Sequence, residues 1–127
     1  MCDTAHNLSG WMWICRQIER CTYRKLHIVI GFVNDKDITG ILERTPRDAI
    51  YYFTKASIPR ALGEIELMKT AANYALKGGA YPNVADALDS ALHNAAEDDM
   101  IFIGGSTFVV GEALQYCSFG RISRIFQ

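Results

Sequence analysis

Leu26-His27-Ile28-Val29-Ile30-Gly31-Phe32-Val33 runs apolar and β-branched until it stops at Asn34-Asp35. A strand with one solvated face alternates polar and apolar residues, and this run scarcely does. It therefore reads as a strand buried on both faces, the mark of a parallel sheet. Ala49-Ile50-Tyr51-Tyr52-Phe53-Thr54 and Met100-Ile101-Phe102-Ile103-Gly104 have the same character. Ala80-Tyr81-Pro82 is a short fourth candidate closed by Pro82, and Met1-Cys2-Asp3 is an unusually brief first one.

Helical patterns separate these runs. Trp11 to Cys21 follows Asn7 and Ser9, with Trp11, Ile14, Ile18 and Cys21 at helical spacing. Trp11 and Trp13 diverge too far around one helix to share a single core face. Asp37 to Arg44 stops before Pro46, and Glu64 to Lys77 is expected to stop at Gly78-Gly79 as a C-cap. Asn83 is placed to cap Val84 to Ala96, whose Val84, Leu88, Ala91, Leu92 and Ala95 form one apolar stripe. Ser106 opens a last helix to about Tyr116, and residues 117–127 read as an irregular tail. Strand–helix alternation with short connections predicts an α/β three-layer sandwich with a mostly parallel, Rossmann-like sheet.

The bulk numbers agree with one folded domain over residues 1–127. Half of the 127 residues are hydrophobic and the formal net charge is −1, which argues against disorder. The same near-neutral balance lacks the basic footprint of a nucleic-acid binder. No apolar run is long enough to span a bilayer, and the N-terminus lacks a signal-peptide pattern. A soluble cytoplasmic domain with no membrane or nucleic-acid partner is the expectation. Cys2, Cys15, Cys21 and Cys117 show no CxxC pair, and His6, His27 and His93 fall at no ligand-like spacing. Free thiols and no metal site are expected.

In an open parallel sheet, ligands bind beyond the carboxyl ends of the strands. That rule selects Asp3-Thr4-Ala5-His6-Asn7, Asn34-Asp35-Lys36-Asp37, Lys55-Ala56-Ser57-Ile58-Pro59-Arg60 and Gly104-Gly105-Ser106-Thr107. Gly104 and Gly105 permit a close backbone approach, and the helix after them offers N–H groups to a carboxylate or phosphate. Ser106 is equally well explained as a plain N-cap of that helix. Lys36 stands in a first helical turn, where the dipole disfavours a cation; it is either aimed at an anion or simply solvated beside Asp35 and Asp37. Arg60 suits an anion fork, or it is a surface loop residue. His6 is an anion donor or proton carrier next to Asp3, and Asn7 reads as a helix cap. A Ser106–His6–Asp3 triad can be drawn, but the G-x-S-x-G elbow is absent. His27 is expected in or beside the sheet and His93 on a solvated helix face, neither with a function. There is no G-x-x-x-x-G-K-[ST] and no G-x-G-x-x-G, so a triphosphate would need another segment.

Asp3-Thr4-Ala5-His6-Asn7 resembles the D-x-A-H-N-P signature that opens the C-terminal domain of Mur-type ligases. With Gly31-Phe32-Val33-Asn34-Asp35-Lys36-Asp37-Ile38, Ala56-Ser57-Ile58-Pro59-Arg60-Ala61 and Ile101-Phe102-Ile103-Gly104-Gly105-Ser106, the likeness is to the bacterial dihydrofolate synthase/folylpolyglutamate synthase branch. It covers about Cys2 to Leu114. Leu8 replaces the signature proline, and Thr107-Phe108 departs from versions that carry a histidine nearby.

The resemblance implies an amide ligase that uses ATP and Mg2+ to add L-glutamate to dihydropteroate or a folate tail. By that likeness Asp3 lies on the nucleotide side, and His6 and Ser106 hold the incoming glutamate. Lys36 matches a D-K element that contacts a carboxylate, while Asn7, Arg60, Gly104 and Gly105 are secondary candidates. The likeness assigns no catalytic residue and no metal ligand to this domain by itself. It implies that the P-loop and magnesium-binding segments belong to an N-terminal ATPase domain absent here, so the chain alone is expected to bind no cofactor and to be inactive. A stand-alone, non-catalytic α/β binding module is the alternative, and a receiver-like or flavodoxin-like domain ranks last.

Overall fold

Strand β1 (Leu26–Gly31) lies between two parallel neighbours and is buried along its whole length. The computed structural model describes residues 24–34 and 38–117. After β1 come α1 (Thr39–Glu43), β2 (Ile50–Phe53), α2 (Glu64–Ala72), β3 (Gly78–Ala80), α3 (Val84–Asn94), β4 (Met100–Gly105) and α4 (Thr107–Cys117). The strands form one parallel sheet in the order β3-β2-β1-β4. The expected first strand, the helix over Trp11 to Cys21 and the tail after Cys117 lie outside the described residues.

Strand alternation divides the interior into two cores. Leu26, Ile28 and Ile30 of β1, Tyr51 and Phe53 of β2, and Phe102 of β4 face α1 and α2, where they meet Ile41, Leu42, Leu67 and Ala71. Val29, Tyr52, Ile101 and Ile103 face the other way, against Val84, Leu88 and Ala91 of α3 and Val109 and Ala113 of α4. Each large apolar side chain so enclosed contributes about 1.5–3 kcal/mol relative to exposure, which is why these strands carry almost no polar residues. Helices on both faces of a parallel sheet make the three-layer α/β architecture expected from the sequence.

Local signals were of uneven value. Asn83 caps α3 as expected, its Oδ1 accepting the Asp86 N–H at 2.7 Å. Helix α2 instead ends five residues before its expected limit. The Leu76 N–H reaches the Ala71 carbonyl at 3.2 Å and the Ala75 N–H reaches Ala72 at 3.2 Å, closing the helix in a Schellman turn. Ala75 occupies the left-handed position of that turn, with φ 63°. Gly78-Gly79 is therefore no C-cap; it opens β3, which starts two residues earlier than Ala80. Tight pairing is what demands the first glycine, since a Cβ on Gly78 would stand 1.9 Å from the Tyr51 carbonyl oxygen.

Candidate functional site

All four strands point the same way, so the segments after β1, β2 and β4 emerge along one edge of the sheet. Backbone bonds fasten the first two together. The Leu62 N–H donates to the Phe32 carbonyl at 2.8 Å, the Asn34 N–H donates to the Arg60 carbonyl at 2.5 Å, and Val33 bridges Ala61. Arg60 thus lies on this edge, with its side chain exposed. Lys55, at the start of the same loop, pairs with Glu64 at the head of α2 over 3.5 Å. Lys36 lies outside the described residues, as do Asp3, His6 and Asn7.

Gly104 and Gly105 end β4, paired with Ile30 and Gly31. The room left by the missing side chain of Gly105 is taken by protein. A Cβ there would come 2.2 Å from the Gly31 carbonyl oxygen, and φ is +104°. Gly31 in turn abuts the Thr54 carbonyl, 2.5 Å from where its own Cβ would be. Gly31 and Gly105 therefore let three chain segments converge at the edge, and the space they spare holds backbone oxygens.

Ser106 follows directly and is buried. Its Oγ accepts the Phe108 N–H at 3.1 Å and the Val109 N–H at 3.2 Å, making it the N-cap of α4. A hydroxyl has two lone pairs and one proton to give. Both acceptor positions are used inside the helix, which leaves Ser106 with an O–H donor. One residue that no sequence motif marks, Glu112, also shapes this edge. From α4 it accepts the Ser57 N–H at 2.6 Å and the Ser57 hydroxyl at 3.4 Å, tying the loop after β2 to the last helix.

A second polar constellation lies among the buried strands. His27 is 1% exposed, and its Nε2 stands 2.8 Å from Asp99 Oδ2 while Nδ1 stands 2.9 Å from the Tyr52 hydroxyl. Asn94 donates to that hydroxyl at 3.3 Å, and Arg24 Nη2 donates to Asp99 Oδ2 at 3.1 Å. Burial acts to raise the Asp99 carboxyl, but the Ala96 N–H, the His27 ring and the Arg24 guanidinium together hold it below the ordinary range. Burial pushes the Tyr52 phenol upward, against the Asn94 bond. The one histidine in the apolar run of β1 was the available signal for this network. With Asp99 just before β4 and His27 at the start of β1, it belongs to the amino end of the sheet.

That end also carries a shallow groove of about 430 Å³ lined by Lys25, Arg47, Asp48, Lys77 and Gly78. It is separate from the loops at the carboxyl edge. Among the described residues no three His, Cys, Asp or Glu side chains gather to hold a metal ion. Nor is any helix among them long and apolar enough to cross a membrane.

The family model described as "Mur ligase, glutamate ligase domain" matches residues 1–107. A probable bifunctional folylpolyglutamate synthase/dihydropteroate synthase of Haloferax volcanii is 33% identical over 114 residues, 87% of this chain. Those residues are only 13% of that protein. Among solved structures, a Mycobacterium tuberculosis folylpolyglutamate synthase complexed with ADP and AMPPCP superposes with a TM-score of 0.80 and 29% identity, covering 94% of this chain and 29% of that one. E. coli FolC in complex with DHPP and ADP gives a TM-score of 0.78 at 23% identity, over 92% of this chain and 28% of that one, a likeness of fold. The chain thus spans under a third of each of these relatives.

Proposed function

This chain belongs to the Mur ligase family as a glutamate ligase domain, and from that membership we propose that it is the glutamate-side domain of an ATP-dependent folate–glutamate ligase, inactive by itself. In such a reaction ATP phosphorylates a carboxylate of the folate substrate, and the amine of L-glutamate displaces the phosphate to form an amide. Relatives with ADP or ATP analogues bound support a nucleotide in the whole enzyme, and one bifunctional folylpolyglutamate synthase/dihydrofolate synthase holds Mn, AMPPNP and L-glutamate. On the family likeness, the magnesium ion and the ATP phosphates are assigned to an N-terminal ATPase domain, the partner against which this domain would work.

The observation that carries the reading is the state of Ser106. Its lone pairs are committed to the Phe108 and Val109 amides, so what it offers a ligand is a proton. A carboxylate accepts hydrogen bonds and gives none, which matches that donor at the positive end of α4. The domain's contribution is then binding and orientation: holding a carboxylate of glutamate so that the amine meets the activated carbon. His6 and Lys36 are assigned to the same glutamate, and Asp3 to the nucleotide, on the motifs that they match; Asn7, Arg60, Gly104 and Gly105 remain secondary candidates.

The test is a hybrid in which this chain replaces the matching part of the M. tuberculosis enzyme. The expected result is ATP- and glutamate-dependent extension of folate by the hybrid and none by the 127-residue chain. Ligation by the chain alone overturns its proposed dependence on an ATPase domain. A folded hybrid that binds ATP and still forms no amide favours a non-catalytic binding module.

A further inference from the structure

The loop that carries Lys55 and Arg60 is held by a carboxylate that no catalytic step requires. Around Ser57 the chain makes a γ-turn, the Ile58 N–H donating to the Ala56 carbonyl at 2.9 Å. The Ala61 N–H then closes onto Ile58 at 3.2 Å, so the loop is folded on itself before it reaches α2. Its Ser57 N–H is met by Glu112 Oε2 at 2.6 Å, the short distance of a charge-assisted bond. The Ser57 hydroxyl adds a longer contact of 3.4 Å to Oε1. Glu112 is half-buried, and no lysine or arginine lies within ion-pair distance of it among the described residues.

Its place in the fold gives that bond a consequence. Glu112 lies six residues beyond Ser106, roughly 9 Å along the same rigid helix. Beneath the bond, Ala56 packs with Val109 and Ala113 of α4 in one core. On its other side, the loop is bonded to the segment after β1 through Asn34 and Arg60. The segments after β1 and β2 and the helix after β4 are therefore linked in series, and Glu112–Ser57 is the polar link to the helix that bears Ser106.

We propose that Glu112 is a positioning residue for this edge, clamping the Lys55–Arg60 loop to α4 so that the loop's cations and the Ser106 hydroxyl keep one spacing toward an anionic amino-acid substrate. The role rests on the ligase-domain reading; the clamp itself does not. Removing the carboxylate frees the Ser57 amide and leaves the γ-turn to rearrange while α4 and the cores stay intact.

Hydrogen exchange on the 127-residue chain tests the clamp, and the hybrid enzyme tests its role. Glu112→Ala is expected to speed exchange at Ser57 by about tenfold and to loosen residues 55–60. Glu112→Gln keeps an acceptor and recovers most of the protection, and Ser57→Ala, which keeps the N–H, matches wild type. In the hybrid, Glu112→Ala raises KM for L-glutamate about tenfold with kcat within about twofold, and Glu112→Gln restores it. Unchanged exchange in Glu112→Ala overturns the clamp. A freed loop with unchanged KM overturns the positioning role. An inactive wild-type hybrid counts against the ligase reading, and the clamp is then decided by exchange alone.

Discussion

His27 Nε2 lies 2.8 Å from Asp99 Oδ2, across 72 residues of sequence, and the bond fixes the direction of a buried chain of hydrogen bonds. Asn94 donates to the Tyr52 oxygen, Tyr52 has its single proton left for His27 Nδ1, and Nε2–H then donates to Asp99. Truncating Tyr52 to phenylalanine leaves His27 Nδ1 without its partner inside the protein. The expected cost is about 1–2 kcal/mol, read from the urea midpoint.

The same carboxylate sets an acid limit on stability. Folded Asp99 gives up its proton more readily than at the ordinary value of 3.8, so between the two values the unfolded chain binds a proton that the folded chain does not. Its stabilising contribution is complete above about pH 5 and is lost as pH falls below about 4 through the folded value. Asp99→Asn is expected to be less stable than wild type at pH 7, with the gap narrowing as pH falls below about 4. Urea titrations at several pH values measure it, and a gap that stays constant refutes the linkage.

Ala75 sits at φ 63°, a conformation costing roughly 1–2 kcal/mol for a residue with a Cβ. Ala75→Gly relieves that strain and gives part of the gain back as added freedom in the unfolded chain. A net stabilisation of about 0.5–1 kcal/mol is expected in thermal or urea unfolding.

Two glycines 6 residues apart should respond in opposite directions to alanine. Gly105→Ala drives a Cβ to 2.2 Å from the Gly31 oxygen at positive φ, a loss of at least about 2 kcal/mol. Gly111 lies inside α4 with nothing within 4 Å of a Cβ, so Gly111→Ala gains about 0.5–1 kcal/mol from helix propensity. Circular dichroism melts of the two variants compare them directly.

Ser106 has two roles that substitution separates. Ser106→Ala removes the cap and costs about 1 kcal/mol. Ser106→Asp keeps a capping oxygen and the fold's stability, yet replaces the donor with a negative charge. Under the proposed function its hybrid loses productive use of glutamate while its melting midpoint stays near wild type. An Asp variant that is stable and uses glutamate normally removes Ser106 from the binding site.

The parallel sheet was legible because burial on both faces leaves its trace within single strands: Leu26 to Gly31 and Met100 to Ile103 admit almost nothing polar. Caps were legible for the same reason of locality, since Asn83 and Ser106 bond to amides two or three residues away. The end of α2 was not, because Ala75 adopts the conformation that glycine ordinarily marks, and the real glycines nearby serve strand pairing instead. At the edge, the segments after β1, β2 and β4 could be chosen from the parallel-sheet rule, but Glu112 could not. Its partner is set by where α4 meets the loop after β2, which no short spacing records. His27 and Asp99 meet only because Leu26 pairs with Met100.

That last pairing has a cost in time. Strand β1 is the hub of the sheet, yet β4, the neighbour on one of its sides, is made after β2, β3 and three helices. At ordinary ribosomal speeds the interval is on the order of ten seconds. Throughout it, a nascent chain exposes the bare edge of its most apolar strand to other chains. Completion of the sheet waits on a distant contact, the kind of non-local pairing that is intrinsically slow to form and exposed to aggregation meanwhile.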